Sequence, residues 1–175
     1  MHQCLIIYSS TDGHTKKICE YLANTIQNSS QTKLLCLTKA CAEDLFYYDS
    51  IIIGASIRYG KHKRELYKFI KQNMHILNKK NNAFFSVNAV ARKSEKSTPS
   101  TNPYIQKFLT LSNWSPRHIC VFAGKIDYPR YSFIDKHLIR LIMWFTNGPT
   151  NLSSTYDFTN WLHVDKFANQ IIKFN

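Results

Sequence analysis

The sequence predicts an α/β protein built on a five-stranded parallel sheet, and three observations lead there. Short apolar runs alternate with segments of helical periodicity five times along the 175 residues. The third run, Ile51-Ile52-Ile53, is continuously apolar, as in a strand buried on both faces. All five glycines (Gly13, Gly54, Gly60, Gly124, Gly148) fall in or beside the C-terminal ends of those runs, or in the insertion after the last one. That edge is where open parallel sheets take up ligands.

Each element follows from its pattern. Gln3–Tyr8 is the first strand, and Lys16–Asn28 a helix with Ile18, Tyr21, Leu22, Thr25 and Ile26 at helical spacing. Lys33–Leu37 and Ile51–Ile57 are the second and third strands. His62–Asn73 is a helix with Leu66, Phe69 and Ile70 on one side. Ala83–Val87 is the fourth strand, and the polar stretch Arg92–Pro103 leads to a helix over Tyr104–Leu111. Ile119–Ile126 is the fifth strand; Asn160–Phe174 closes the chain as a helix with Trp161, Val164, Phe167, Ala168 and Ile171 in register. More than about 30 residues separate those last two elements, beyond the usual αβ connection, so an insertion is expected there, bounded at 127–148.

By length the chain is one domain spanning 1–175. Hydrophobic residues at 44% against 19% charged exclude a disordered chain. No apolar run is long enough to span a membrane, and Leu5–Tyr8 lacks the basic flank and length of a signal peptide. A soluble, cytoplasmic-type domain is the expectation. Five cysteines without a C-x-x-C pair read as reduced thiols, with Cys4, Cys36 and Cys120 packed as small hydrophobes in strands. No metal site is expected.

The net charge of +12 is unevenly placed: residues 58–140 hold 17 basic and 4 acidic side chains, the rest 6 and 7. Such a field attracts nucleic acid, anionic lipid or an acidic small molecule. Nucleic acid is disfavoured because Tyr47, Tyr48, Phe84 and Phe85 lie in or beside core elements rather than among Lys and Arg.

Three loops follow strands one, three and four. Ser9–Thr15 offers four hydroxyls (Ser9, Ser10, Thr11, Thr15), Gly13, His14 and the free amides of a helix start, a combination suited to a phosphate. Ser56-Ile57-Arg58-Tyr59-Gly60 and Ser86-Val87-Asn88-Ala89-Val90 complete a mouth with a phosphate end and a flat end. A flavin mononucleotide has that shape.

Tyr8–Thr15 resembles the phosphate loop of flavodoxins. The strings Ile53–Gly60, Ser86–Lys93 and Ala123–Tyr131 (Ala-Gly-Lys-Ile-Asp-Tyr-Pro-Arg-Tyr) are similar to those of the flavodoxin-like, menaquinone-dependent protoporphyrinogen oxidases (dehydrogenases) of gammaproteobacterial haem synthesis. The resemblance runs from Cys4 to about Ile171. It implies a flavodoxin-like three-layer sandwich with strand order 2-1-3-4-5. It also implies non-covalent FMN and removal of six electrons from protoporphyrinogen IX, in three two-electron steps, with transfer to menaquinone or another membrane quinone. FMN would then be held by Ser10, Thr11, Asp12, Gly13, His14 and Thr15, by Ser56–Gly60, by Ser86–Val90 and by Gly124. Arg58 and Tyr59 would lie at the reacting edge. Arg58, Arg92, Lys93, Lys125 and Arg130 would form a basic rim for the two propionates. Asp12 departs from the flavodoxin pattern, in which a threonine usually precedes the glycine, and suits a phosphate only with its carboxylate turned away. A flavodoxin-type electron carrier and an NAD(P)H:quinone reductase are the alternatives; such carriers are commonly acidic.

Within the insertion, Ser132–Thr146 reads as a helix after Pro129, with Ile134, Leu138, Leu141, Ile142 and Phe145 on one face, expected to pack on the domain. From Leu141 to Phe145, through Trp144, it is apolar all round. A second copy of the chain, the porphyrinogen and a lipid surface could each cover the remaining face. An apolar tip beside cations best suits an anionic membrane, placing the protein peripherally on the cytoplasmic side of the inner membrane.

Overall fold

The computed structural model describes residues 2–173; the Phe174 end expected for the last helix lies outside them. Five parallel strands, β1 (His2–Ser9), β2 (Ser30–Cys36), β3 (Ser50–Ser56), β4 (Asn81–Asn88) and β5 (His118–Ala123), form one sheet in the order β2-β1-β3-β4-β5. This is the flavodoxin-like architecture and strand order expected from the sequence.

Strand alternation builds the two cores. Leu5 and Ile7 of β1 point to one face, where α2 (Ala42–Phe46), α3 (Arg64–Leu77) and α4 (Pro103–Ser112) supply Leu45, Leu66, Phe69, Ile70, Ile105 and Phe108. Cys4 and Ile6 point to the other, met by Ile18, Cys19, Leu22 and Ile26 of α1 (His14–Ile26) and Val164, Phe167 and Ile171 of α6 (Trp161–Ile172). Each such aliphatic side chain contributes about 1.5–3 kcal/mol when fully buried.

Gly54 sits mid-register in β3, where a Cβ would stand 2.2 Å from the Phe85 ring. Packing requires this glycine, not the ligand edge to which its place in the sequence assigned it. Among the cysteines, Cys4, Cys19 and Cys120 are buried, whereas Cys36 is only half-buried on edge strand β2 and Cys41 is exposed.

The region after β5 differs most from expectation. The fifth strand stops at Ala123; Lys125–Asp127 forms a separate strand, β6, antiparallel to β7 (Thr155–Asp157). Between them lies α5 (Phe133–Phe145). Its expected packing face, Ile134, Leu138, Leu141, Ile142 and Phe145, is exposed. The helix instead turns Ile139 and Met143 down onto Ile126, Tyr128, Leu152 and Tyr156. Tyr128 is fully buried beneath it and donates to the Pro149 carbonyl at 2.8 Å. Among the described residues no helix is long and apolar enough to cross a membrane.

Candidate active site

Strand order reverses between β1 and β3, whose C-terminal ends pair Ser9 with Ala55. Connections leave in opposite directions there and open a crevice. A cavity of about 200 Å³ lies in it, lined by all three loops and roofed by α5. A second cavity of about 510 Å³ adjoins outside, sharing Asp12, His14, Lys125 and Tyr131 with the first.

The first loop enters α1 through Gly13 at φ +84°, a left-handed residue that glycine adopts at no steric cost. Gly13 provides no side-chain cap, although its N–H donates to Ser10 Oγ at 3.0 Å. The Thr15 hydroxyl, in a residue only 1% exposed, has no hydrogen-bond partner. An unpartnered buried hydroxyl costs about 1–3 kcal/mol. Beside helix-start amides it is a donor waiting for an acceptor, and a phosphate fits there. Asp12 accepts from Arg58 Nη1 at 2.9 Å, so its charge is taken up by a guanidinium. The His14 ring turns out of the loop to Thr159 Oγ1 at 2.6 Å and, with burial holding its pKa below the usual value, lies 3.6 Å from Asp157. Thr11 and Gly13 line only the outer cavity.

The second loop is a two-residue turn. Arg58 N–H donates to the Lys61 carbonyl at 3.0 Å and Lys61 N–H to the Arg58 carbonyl at 3.2 Å. Both central residues are left-handed, Tyr59 at φ +49° and Gly60 at φ +72°. For a tyrosine this costs about 1–2 kcal/mol. Ser56 Oγ donates to the Ser9 carbonyl at 3.3 Å, and Ile57 N–H to the Val87 carbonyl at 3.0 Å, tying the loop to both neighbours.

In the third loop, Val87, Asn88, Ala89 and Val90 line the inner cavity, but Ser86 does not. Ser86 is wholly buried and bonded to His62 Nε2 at 3.0 Å. Strand alternation puts it on the Phe84 face, inside the core. The Asn88 side chain caps the following turn by accepting from Ala91 N–H at 3.1 Å and joins Asn102 at 3.2 Å. Gly124 lines the cavity, its N–H donating to the Asn88 carbonyl at 3.2 Å.

The basic rim divides. Arg92 donates to the Ala89 carbonyl (2.9 Å) and to the carbonyl and hydroxyl of Thr146 (3.0 and 2.7 Å), clamping the third loop to the end of α5. It is engaged within the protein, not offered freely to a substrate. Lys125 pairs with Asp127 at 3.0 Å. Arg130 is exposed beside the outer cavity. Leu141, Trp144 and Phe145 face outward; Leu138, Ile139, Ile142, Met143 and Thr146, with Tyr104 and Tyr131, line the inner cavity.

Sequence reasoning missed Asp135. It accepts from Arg58 Nη2 at 2.7 Å and from Tyr59 OH at 2.5 Å, and these bonds with Ser132 hold its carboxyl below the usual range. The Arg58 guanidinium lies between the Tyr59 and Tyr131 rings, 5.2 and 5.4 Å from their centres. Among the described residues no group of three or more His, Cys, Asp or Glu could hold a metal ion.

Comparison with known proteins agrees with this fold. A flavodoxin domain model matches residues 5–153. A protoporphyrinogen IX dehydrogenase [quinone] of Escherichia coli K12 is 40% identical over 168 residues, covering 95% of this chain and 93% of that protein. One from Leishmania major is 42% identical over 171 residues, covering 95% of this chain and 73% of that protein. Among solved structures, oxidised flavodoxin 1 of Bacillus cereus superposes with a TM-score of 0.55 at 14% identity over 99% of both chains. The mouth at the β1/β3 switch point, the flavodoxin domain and the extent of these matches give one conclusion: the chain belongs to the flavodoxin-domain family of quinone-linked protoporphyrinogen IX dehydrogenases, a family of oxidoreductases.

Proposed function

We propose that the chain binds FMN in the three-loop mouth and oxidises protoporphyrinogen IX, passing the electrons to menaquinone or another membrane quinone. The observation that carries the cofactor assignment is the buried, unpartnered Thr15 hydroxyl at the start of α1. Ser10, Thr15 and the α1 amides would hold the phosphate. Ile57 and the Val87–Val90 segment, tied by the Ile57–Val87 backbone bond, would flank the ring. Bound FMN supplies hydride acceptance, so the protein need only hold the substrate and exclude water. Lys125 and Arg130 line the outer cavity, on the way to the mouth, and offer counter-charges to carboxylates. The names of the Escherichia coli and Leishmania major relatives support this substrate and a quinone acceptor.

The exposed Leu141, Trp144 and Phe145 on α5 support a peripheral site on an anionic membrane, at the cytoplasmic face, where a quinone is within reach. The test is anaerobic reduction of the flavin by protoporphyrinogen IX followed by reoxidation with a menaquinone analogue. A protein that takes up no FMN overturns the cofactor. Reduction by NADH or NADPH but not by protoporphyrinogen would favour the reductase alternative.

A further inference from the structure

We infer that Arg58 and Tyr59 form a carboxylate-reading subsite at the cavity mouth, and that Asp135 of α5 is an internal stand-in there, which a substrate carboxylate displaces. The choice of a porphyrin dicarboxylate as ligand rests on the function proposed above.

The two oxygens of Asp135 are read separately: Oδ2 accepts from Arg58 Nη2, Oδ1 from Tyr59 OH. Two donors from adjacent residues on two oxygens of one carboxylate give directional as well as charge recognition. The donors are fixed in advance. Arg58 is held by the mutual bonds with Lys61, by Asp12 on its other terminal nitrogen, and between two tyrosine rings. Tyr59 is kept in a left-handed conformation that a bulky residue rarely adopts, and it is this turn that aims its hydroxyl at Asp135. Unfavourable backbone of this sort is concentrated at ligand clamps.

The occupant is on the roof, not on the sheet side of the mouth. Asp135 lies in the first turn of α5, which Ser132 caps, and Leu138, three residues on, lines the cavity. A carboxylate arriving at Arg58 and Tyr59 replaces the hydrogen bonds of Asp135 one for one and frees the first turn of the roof. The exchange is near balance for an acid. A neutral ester accepts more weakly and cannot match the charge, so it displaces Asp135 poorly. The subsite would therefore select tetrapyrroles with free propionates and couple their arrival to opening.

The test uses the FMN-loaded full chain and mesoporphyrin IX, compared with its dimethyl ester, followed by quenching of tryptophan fluorescence. Asp135→Asn keeps the shape but weakens the internal competitor; it is expected to bind the dicarboxylate about fivefold more tightly and the ester unchanged. Arg58→Gln should bind both porphyrins alike. In the wild type, amide exchange at residues 132–136 should rise with the dicarboxylate and not with the ester. The inference is overturned if Asp135→Asn gains nothing for the dicarboxylate, gains equally for the ester, or if exchange responds identically to both. Turnover of protoporphyrinogen IX without any Asp135 effect removes the subsite and leaves the function. The Asp135 effect without turnover does the reverse.

Discussion

His62 Nε2 lies 3.0 Å from the Ser86 hydroxyl, and both residues are shut away from solvent behind the third loop of the mouth. The imidazole is packed edge-on against Phe84 and Phe108, with Tyr67 OH at 3.5 Å from its other nitrogen. Burial pushes its pKa down to about 4.

The sign of the pH effect follows. Between the unfolded value of about 6.5 and about 4, the unfolded chain binds a proton that the folded chain refuses. The His62 contribution is therefore complete above pH 6.5, falls as the pH drops through that window, and is lost below 4. The full swing amounts to about 3 kcal/mol as an order of magnitude. His14, His118 and His163 are also lowered by burial and steepen the same slope. Urea midpoints at pH 7 and pH 4.5 should differ markedly for wild type and less for His62→Gln. Equal differences in the two proteins would assign the slope elsewhere.

Thr15→Val separates binding from stability. The hydroxyl has nothing to lose inside the free protein, so the variant should melt at the wild-type temperature or slightly above, with a gain of up to about 1 kcal/mol. FMN affinity should fall by about tenfold, the size of one hydrogen bond to a charged group. Fluorescence titration with FMN and a thermal melt of the apoprotein give the two readings. A loss of stability with unchanged FMN affinity would falsify the assigned role.

Gly54→Ala places a methyl 2.2 Å from the Phe85 ring, in a strand with both faces covered. Overpacking of this kind costs about 1–3 kcal/mol. Chemical denaturation should show a loss in that range. A neutral result would mean that Phe85 moves aside freely.

Trp144 and Phe145 are 64% and 71% exposed. Replacing either with Ser should change stability by no more than about 0.5 kcal/mol. If this surface meets lipid, as proposed, either change should reduce co-sedimentation with anionic liposomes, and salt should weaken the wild type's binding. Wild-type protein that stays in the supernatant at low salt removes the membrane role and leaves a second copy of the chain as the better cover.

The sheet was legible because its strands are apolar runs and its helices keep strict faces: Ile18, Leu22 and Ile26 announce α1 as Leu66, Phe69 and Ile70 announce α3. Three things were not. The β6–β7 pair is three residues a side and closes over about 30 residues, too short for periodicity to register. Ser86 was read as a mouth residue although alternation from Phe84 turns it inward; its partner His62 stands 24 positions away, outside any local pattern. Asp135 meets Arg58 across 77 positions of sequence, and no local pattern encodes such a pair.

The segment between β5 and α6 leaves and returns at one point. The Phe158 N–H donates to the Gly124 carbonyl at 3.2 Å, and the Thr159 hydroxyl to the Ala123 carbonyl at 3.0 Å. Because those bonds fasten the neck, lengthening the span adds only the slow, logarithmic entropy of a larger closed loop. The sheet below need not register the change. The roof over the mouth is thus a cassette hung from one neck: its length can change without strain on the sheet, whereas its first turn and its end, through Asp135 and Thr146, stay bonded to the second and third loops.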